Sequence, residues 1–198
     1  MLRKSSVVFI LSVFVLSLIY AVTRYVLLGP IPAEQIPLFI MNKAISLSGI
    51  ILVVMAFVQK GDRAVKAKLG ETGFLFTIVH ILISILLINE TYFEKFFNAG
   101  EYNLKGGLSF LFGATAFALL MLIRRLFASD LYAVFTPKSR FYIKFFMLFF
   151  IAAHVAVMGW SGWFKPGDWY GYFPPITLLS FLVATFGMYK VGVRYYQK

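Results

Sequence analysis

The sequence predicts an all-α integral membrane protein, a six-helix bundle with both termini cytoplasmic. Three observations lead there. Of the 198 residues, 61% are hydrophobic and only 14% charged, against about 25% charged in an ordinary soluble domain. The apolar residues gather into six runs close to the length, about 20 residues, that a helix needs to cross a bilayer. The basic residues then fall mostly on one side of those runs. A chain this short cannot hide so much apolar surface in a soluble core, because small domains leave a large share of their surface exposed. The surplus faces lipid.

The first run covers residues 6–28 and stops at Gly29-Pro30-Ile31-Pro32. Arg3-Lys4 ahead of an apolar stretch has the look of a signal peptide. The stretch continues past Tyr20 to Leu28, however, too long for a signal core, and no small-x-small pattern closes it. A retained helix is expected. The second run covers 37–58, the third 70–88, the fourth 104–123 and the fifth 141–160. The sixth covers 173–193 and opens on Pro174-Pro175, residues suited to the first turn of a helix.

Orientation follows from Lys and Arg, which concentrate at cytoplasmic ends. With the N-terminus inside, the inner set is Arg3, Lys4, Lys60, Arg63, Lys66, Lys68, Arg124, Arg125, Lys138, Arg140, Lys144, Lys190, Arg194 and Lys198. The outer set is Arg24, Lys43, Lys95, Lys105 and Lys165. The inner acids are only Asp62, Glu71 and Asp130, so the whole net charge of +11 sits on the inner face. Topology and contact with anionic membrane lipid account for that charge. No nucleic-acid partner is expected.

Other classes drop out. The loops are too short to hold a soluble domain. No Gly-x-Gly-x-x-Gly follows a strand and no Walker loop is present. No internal repeat supports the inverted-repeat plan of many transporters. The chain has no cysteine, which excludes disulfides, thiolate metal sites, iron–sulfur clusters and covalent haem attachment through Cys-x-x-Cys-His.

Both histidines fall inside membrane runs, His80 in the third and His154 in the fifth. Ionisable groups at that depth are costly and usually functional. His80 lies ten residues beyond Gly70, and His154 ten beyond Lys144. At 1.5 Å per residue both side chains sit about 15 Å into the membrane. Two imidazoles at matched depth on separate helices can take one metal from opposite sides. Zinc wants four ligands, and the neighbouring apolar helices offer few. A haem brings four equatorial nitrogens and needs only axial ligands. Two histidines complete its octahedron without adding charge, which favours electron transfer over oxygen binding. Two other readings stand beside this one. The histidines can pack or hydrogen-bond in a non-redox membrane anchor or accessory subunit. They can also relay protons in a small transporter, although intramembrane acids and broken central helices are missing.

The stretch Asn42-Lys43-Ala44-Ile45-Ser46-Leu47-Ser48-Gly49, then Leu69-Gly70-Glu71-Thr72-Gly73 and Val79-His80-Ile81-Leu82, resembles the ferric-reductase-like transmembrane domain superfamily. Its members include NADPH oxidases, ferric reductases, six-transmembrane metalloreductases and the haem subunit of the periplasmic methionine-sulfoxide reductase system. Ser139-Arg140-Phe141-Tyr142 leading to His154 resembles that superfamily's fifth helix. The resemblance covers roughly residues 40–190. Two-haem members carry a second histidine on each of these helices, about thirteen or fourteen residues away. Here those inner positions are Lys66 and Phe141, which cannot ligate. The resemblance thus implies one haem b, held by His80 and His154 in the middle or outer half of the bilayer of a bacterial inner (cell) membrane. It also implies electron supply from a separate flavoprotein or quinol donor, since the cytoplasmic flavin and nicotinamide domain of the family is not seen. An outer-face redox acceptor follows, with the chain as the membrane component of an oxidoreductase.

Haem propionates favour a nearby cation or donor. The outer candidates are Arg24, Lys43 and Trp160 or Trp163. Arg24 and Lys43 can also simply snorkel to the interface. The tryptophans with Tyr170 and Tyr172 read equally as an interfacial aromatic belt. Gly49, Gly70, Gly73, Gly113 and Gly159 can admit a porphyrin or bring helices close. The inner patch Lys60, Arg63, Lys66, Lys68, Arg124, Arg125 and Arg140 suits an acidic flavoprotein or a flavin phosphate, besides setting orientation. Asn89-Glu90-Thr91 matches a glycosylation acceptor but abuts the membrane.

Overall fold

The computed structural model contains six helices long and apolar enough to cross a membrane. It describes residues 2–31, 35–60, 62–128 and 135–197. Pro32, Asp130 and Lys198, used in the sequence reading, lie outside the described residues, as do the side chains of Arg3 and Lys4. Helix α1 spans Leu2–Val22 and closes in a π turn, Thr23–Leu27. It is followed by α2 (Ile36–Val58), α3 (Arg63–Leu87), α4 (Leu104–Ala128), α5 (Pro137–Trp163) and α6 (Ile176–Tyr196).

The six expected runs all appear, but several helices begin or end elsewhere. Helix α3 starts at Arg63 instead of Gly70 because Asp62 caps it, its carboxylate accepting from the Ala64 amide at 2.8 Å. Helix α5 starts at Pro137 instead of Phe141. Thr136 Oγ1 accepts from the Ser139 amide at 3.1 Å, and Pro137 takes a first-turn position where its missing N–H costs nothing. Helix α4 continues through Arg124 and Arg125 to Ala128. In α6 the expectation is corrected the other way. Pro175 stands just outside the helix, so the proline pair precedes the first turn.

Helix α2 is the buried centre of the bundle and packs against α1, α3 and α6. It approaches α3 most closely where two glycines meet. A Cβ on Gly73 would lie 2.8 Å from Val53 Cγ2, 3.0 Å from the Val53 amide and 3.1 Å from the Gly49 carbonyl. Gly70, by contrast, faces Ala56 at an ordinary 3.6 Å. Arg194 of α6 caps the far end of α2. Its Nη1 donates to the Phe57 carbonyl at 2.5 Å and its Nη2 to the Val58 carbonyl, placing a cation where the helix dipole is negative. Helix α4 packs extensively on α5, and α5 on α6, yet the consecutive helices α3 and α4 barely touch.

The connection from α3 to α4 folds in a way the apolar pattern does not announce. Asn89 caps a helical turn, Glu90–Phe93, by accepting from the Thr91 amide at 3.0 Å. A 3₁₀ turn, Glu94–Phe96, leads into a short antiparallel ribbon, β1 (Phe97–Asn98) with β2 (Glu101–Tyr102). Ala99 (φ 51°) and Gly100 (φ 86°) make its tight turn in the left-handed region, the geometry that matches strand twist. Lys95 pins the connection to α5, its Nζ donating to the Met158 carbonyl at 2.5 Å.

Candidate functional site

His80 and His154 line one cavity of about 350 Å³, within the roughly 300–1,000 Å³ usual for ligand pockets. Its walls come from α2, α3, α4 and α5, with Ile176, Thr177 and Ser180 of α6 behind.

Each imidazole is held through Nδ1. The His80 Nδ1 lies 2.5 Å from the Asn42 side-chain carbonyl Oδ1. Asn42 is itself buried and donates from Nδ2 to Ser84 Oγ at 3.1 Å. The His154 Nδ1 lies 2.7 Å from the Ser109 backbone carbonyl and 3.2 Å from Ser109 Oγ. A carbonyl oxygen only accepts, so in both rings Nδ1 carries the proton. Nε2 is left with an available lone pair in each, and neither Nε2 has a hydrogen-bond partner among the described residues. This is the arrangement of a metal-ligating histidine, whose second nitrogen donates to a carbonyl and so sets tautomer and ring orientation.

Gly113 makes room for the second ring. A Cβ there would lie 3.1 Å from His154 Nδ1 and 3.3 Å from its Cε1. Among the described residues, no three His, Cys, Asp or Glu side chains gather as a metal-binding group. Two neutral imidazoles in one cavity are a donor set that fits an iron held by a porphyrin, which needs only one or two further ligands.

Of the two expected cations, Lys43 reaches the site and Arg24 does not. Lys43 lines the cavity, with its ammonium 4.8 Å above the Phe39 ring and 5.6 Å from that of Phe93. Arg24 is buried on the π turn and is absent from the lining. Its Nε donates to the Phe173 and Pro174 carbonyls at 3.0 and 3.1 Å, and its guanidinium packs on Tyr25 and Tyr170. It ties α1 to the approach to α6. Trp163 also departs from expectation. At 5% exposure it is no belt residue: its Nε1 donates to Thr177 Oγ1 at 3.0 Å and its ring packs on Phe181. A Cβ on Gly159 would collide with both Thr177 and Trp163, so that glycine brings α5 onto α6. Trp160 and Tyr172 are exposed, as a belt requires.

Where α5 begins, Phe141 stacks on Tyr195 at 4.4 Å and fills space with Phe145 and Tyr196. Arg124 lies over the Phe74 ring at 4.4 Å, and Phe74 stacks on Phe117, a cavity residue, at 5.9 Å. The sequence alone assigns no site role to Asn42, Ser109 or Phe93. An Asn inside an apolar run was the signal available for the first, because a buried amide demands a partner. Compared with known protein families and with curated proteins, the chain matches none.

Proposed function

We propose that this chain is a single-haem b-type membrane cytochrome of the ferric-reductase-like superfamily. It carries electrons from a cytoplasmic flavoprotein or quinol to an acceptor on the outer face. The observation behind this reading is that two imidazoles on separate helices line one cavity with Nδ1 engaged and Nε2 available. Haem, when bound, supplies a one-electron iron couple. His80 and His154 would hold it, with Gly113 leaving room for the His154 ring and Lys43 offering a cation to a carboxylate. Asn42 and the Ser109 carbonyl fix the tautomers. The apolar walls exclude water, which keeps the couple from exchanging electrons indiscriminately.

The inner basic residues support a cytoplasmic placement of both termini and of the donor. Arg124, over Phe74, is part of the inner patch that would meet an acidic flavoprotein or a flavin phosphate. The second reading, a non-redox anchor with structural histidines, draws on the same Nδ1 hydrogen bonds, which also satisfy a histidine that only packs.

A dithionite-reduced minus oxidised spectrum separates the two. The purified protein is expected to show a b-type spectrum at one haem per chain. A colourless preparation from haem-replete cells overturns the cytochrome reading. Orientation has its own check, because the chain is free of cysteine. Single cysteines placed at Ala99 and at Gln197 are expected to react with an impermeant maleimide from opposite sides of sealed vesicles. Labelling from the same side contradicts the topology.

A further inference from the structure

The cavity is closed at both ends and open at one flank. Its outer end is covered by the α3–α4 connection, where Phe93 and Phe96 stack at 5.5 Å and are buried, held down by Lys95 on Met158. Its inner end is closed where Phe74 of α3 stacks on Phe117 of α4. The two helices barely touch. Of the residues that line the cavity, three are exposed: Ile85 at 58%, Phe110 at 66%, and Ala114. All three lie on α3 and α4, at bilayer depth, so the open flank faces lipid and not water.

We propose that this slit between α3 and α4 is a lateral gate through which haem passes between the bilayer and the histidine pair. The inference rests on the cytochrome reading. The occupant is argued from what lies behind the slit. Two imidazoles wait at the back for a metal that brings its own equatorial ligands, and the Lys43 ammonium stands near the outer end for a carboxylate. A flat macrocycle with an apolar rim and an anionic edge partitions into a membrane interface with that same polarity. It can slide in along the slit without lifting the pinned outer connection. Ile85, Phe110 and Ala114 are then gate residues, which act on passage and not on ligation.

The test measures haem uptake by full-length apoprotein, prepared from haem-limited cells and held in lipid nanodiscs, from the growth of the Soret band. Ala114→Trp and Ile85→Trp are expected to slow uptake at least about tenfold, with the same final spectrum. Leu16→Trp and Leu182→Trp, on lipid-facing surfaces of α1 and α6, are expected to load like the parent. Where a tryptophan variant also loses final occupancy, Ala114→Cys replaces it. This single thiol is expected to load normally when free and slowly once it carries a bulky lipid-soluble maleimide. Uptake that the plugs and the modified thiol leave unchanged overturns the gate and directs passage to the outer connection. Apoprotein of the parent sequence that never develops a Soret band overturns the cytochrome reading instead, and the gate with it.

Discussion

Replacing His154 by alanine is expected to leave the purified protein without a Soret band, and His80→Ala is expected to do the same. The expected loss is large because the chain holds no third histidine and no cysteine. Among the described residues no group of three His, Cys, Asp or Glu side chains forms around the pair, although Met158 and Lys43 line the same cavity. The substitutions also discriminate between a ligand and a packing residue. Losing an imidazole removes one hydrogen bond, worth about 1 kcal/mol, while Asn42 Oδ1 keeps Ser84 Oγ at 3.3 Å and the Ser109 carbonyl stays within α4. The helical signal in circular dichroism is therefore expected to persist while haem is lost. Added imidazole is expected to restore part of the band in each variant, since a small ligand can occupy the vacated space and reach the iron. A merely structural histidine would show no such rescue. Retention of haem by both single variants defeats the assignment.

Gly113→Val is expected to have an effect almost as large, and it works through geometry alone. The missing Cβ would stand 3.1 Å from His154 Nδ1, against the nitrogen that is anchored to the Ser109 carbonyl. Alanine there forces the ring to give by a few tenths of an ångström, whereas the branched valine cannot be accommodated without turning it. Haem content is expected to fall partly in Gly113→Ala and nearly fully in Gly113→Val. In the alanine variant the helix propensity of Ala over Gly, about 1 kcal/mol, opposes the cost of moving a ring held by the Ser109 carbonyl, so stability is expected to change less than haem content. A thermal melt of the apoprotein together with the pyridine haemochrome content of the holoprotein reads both quantities. Full haem content in Gly113→Val would separate His154 from the haem.

Much of this arrangement is legible in the sequence, and the remainder is hidden for identifiable reasons. The six spans are readable because a bilayer imposes a length and a polarity that composition alone can reveal. Their ends are not, since Asp62 and Thr136 start helices among charged residues that an apolar window discards. The matched depth of His80 and His154 follows from counting along each helix. Rotation about the helix axis does not, because helices that are apolar on every side leave little periodicity to read. That rotation decides whether Asn42 faces His80, whether Gly113 lies beside His154, and whether Arg24 points toward the cavity or toward the Phe173 and Pro174 carbonyls. It also conceals the slit, which depends on two neighbouring helices standing apart.

The two imidazoles are oriented by unlike groups, and this bears on how freely the chain can change around them. The carbonyl that holds His154 belongs to the main chain at Ser109, and every amino acid carries one. The oxygen that holds His80 belongs to the Asn42 side chain and vanishes with that residue. Codon 109 thus has latitude to drift among small residues, while codon 42 is constrained. For the hold on the two rings alone, the second span is tied to one letter and the fourth mainly to a size.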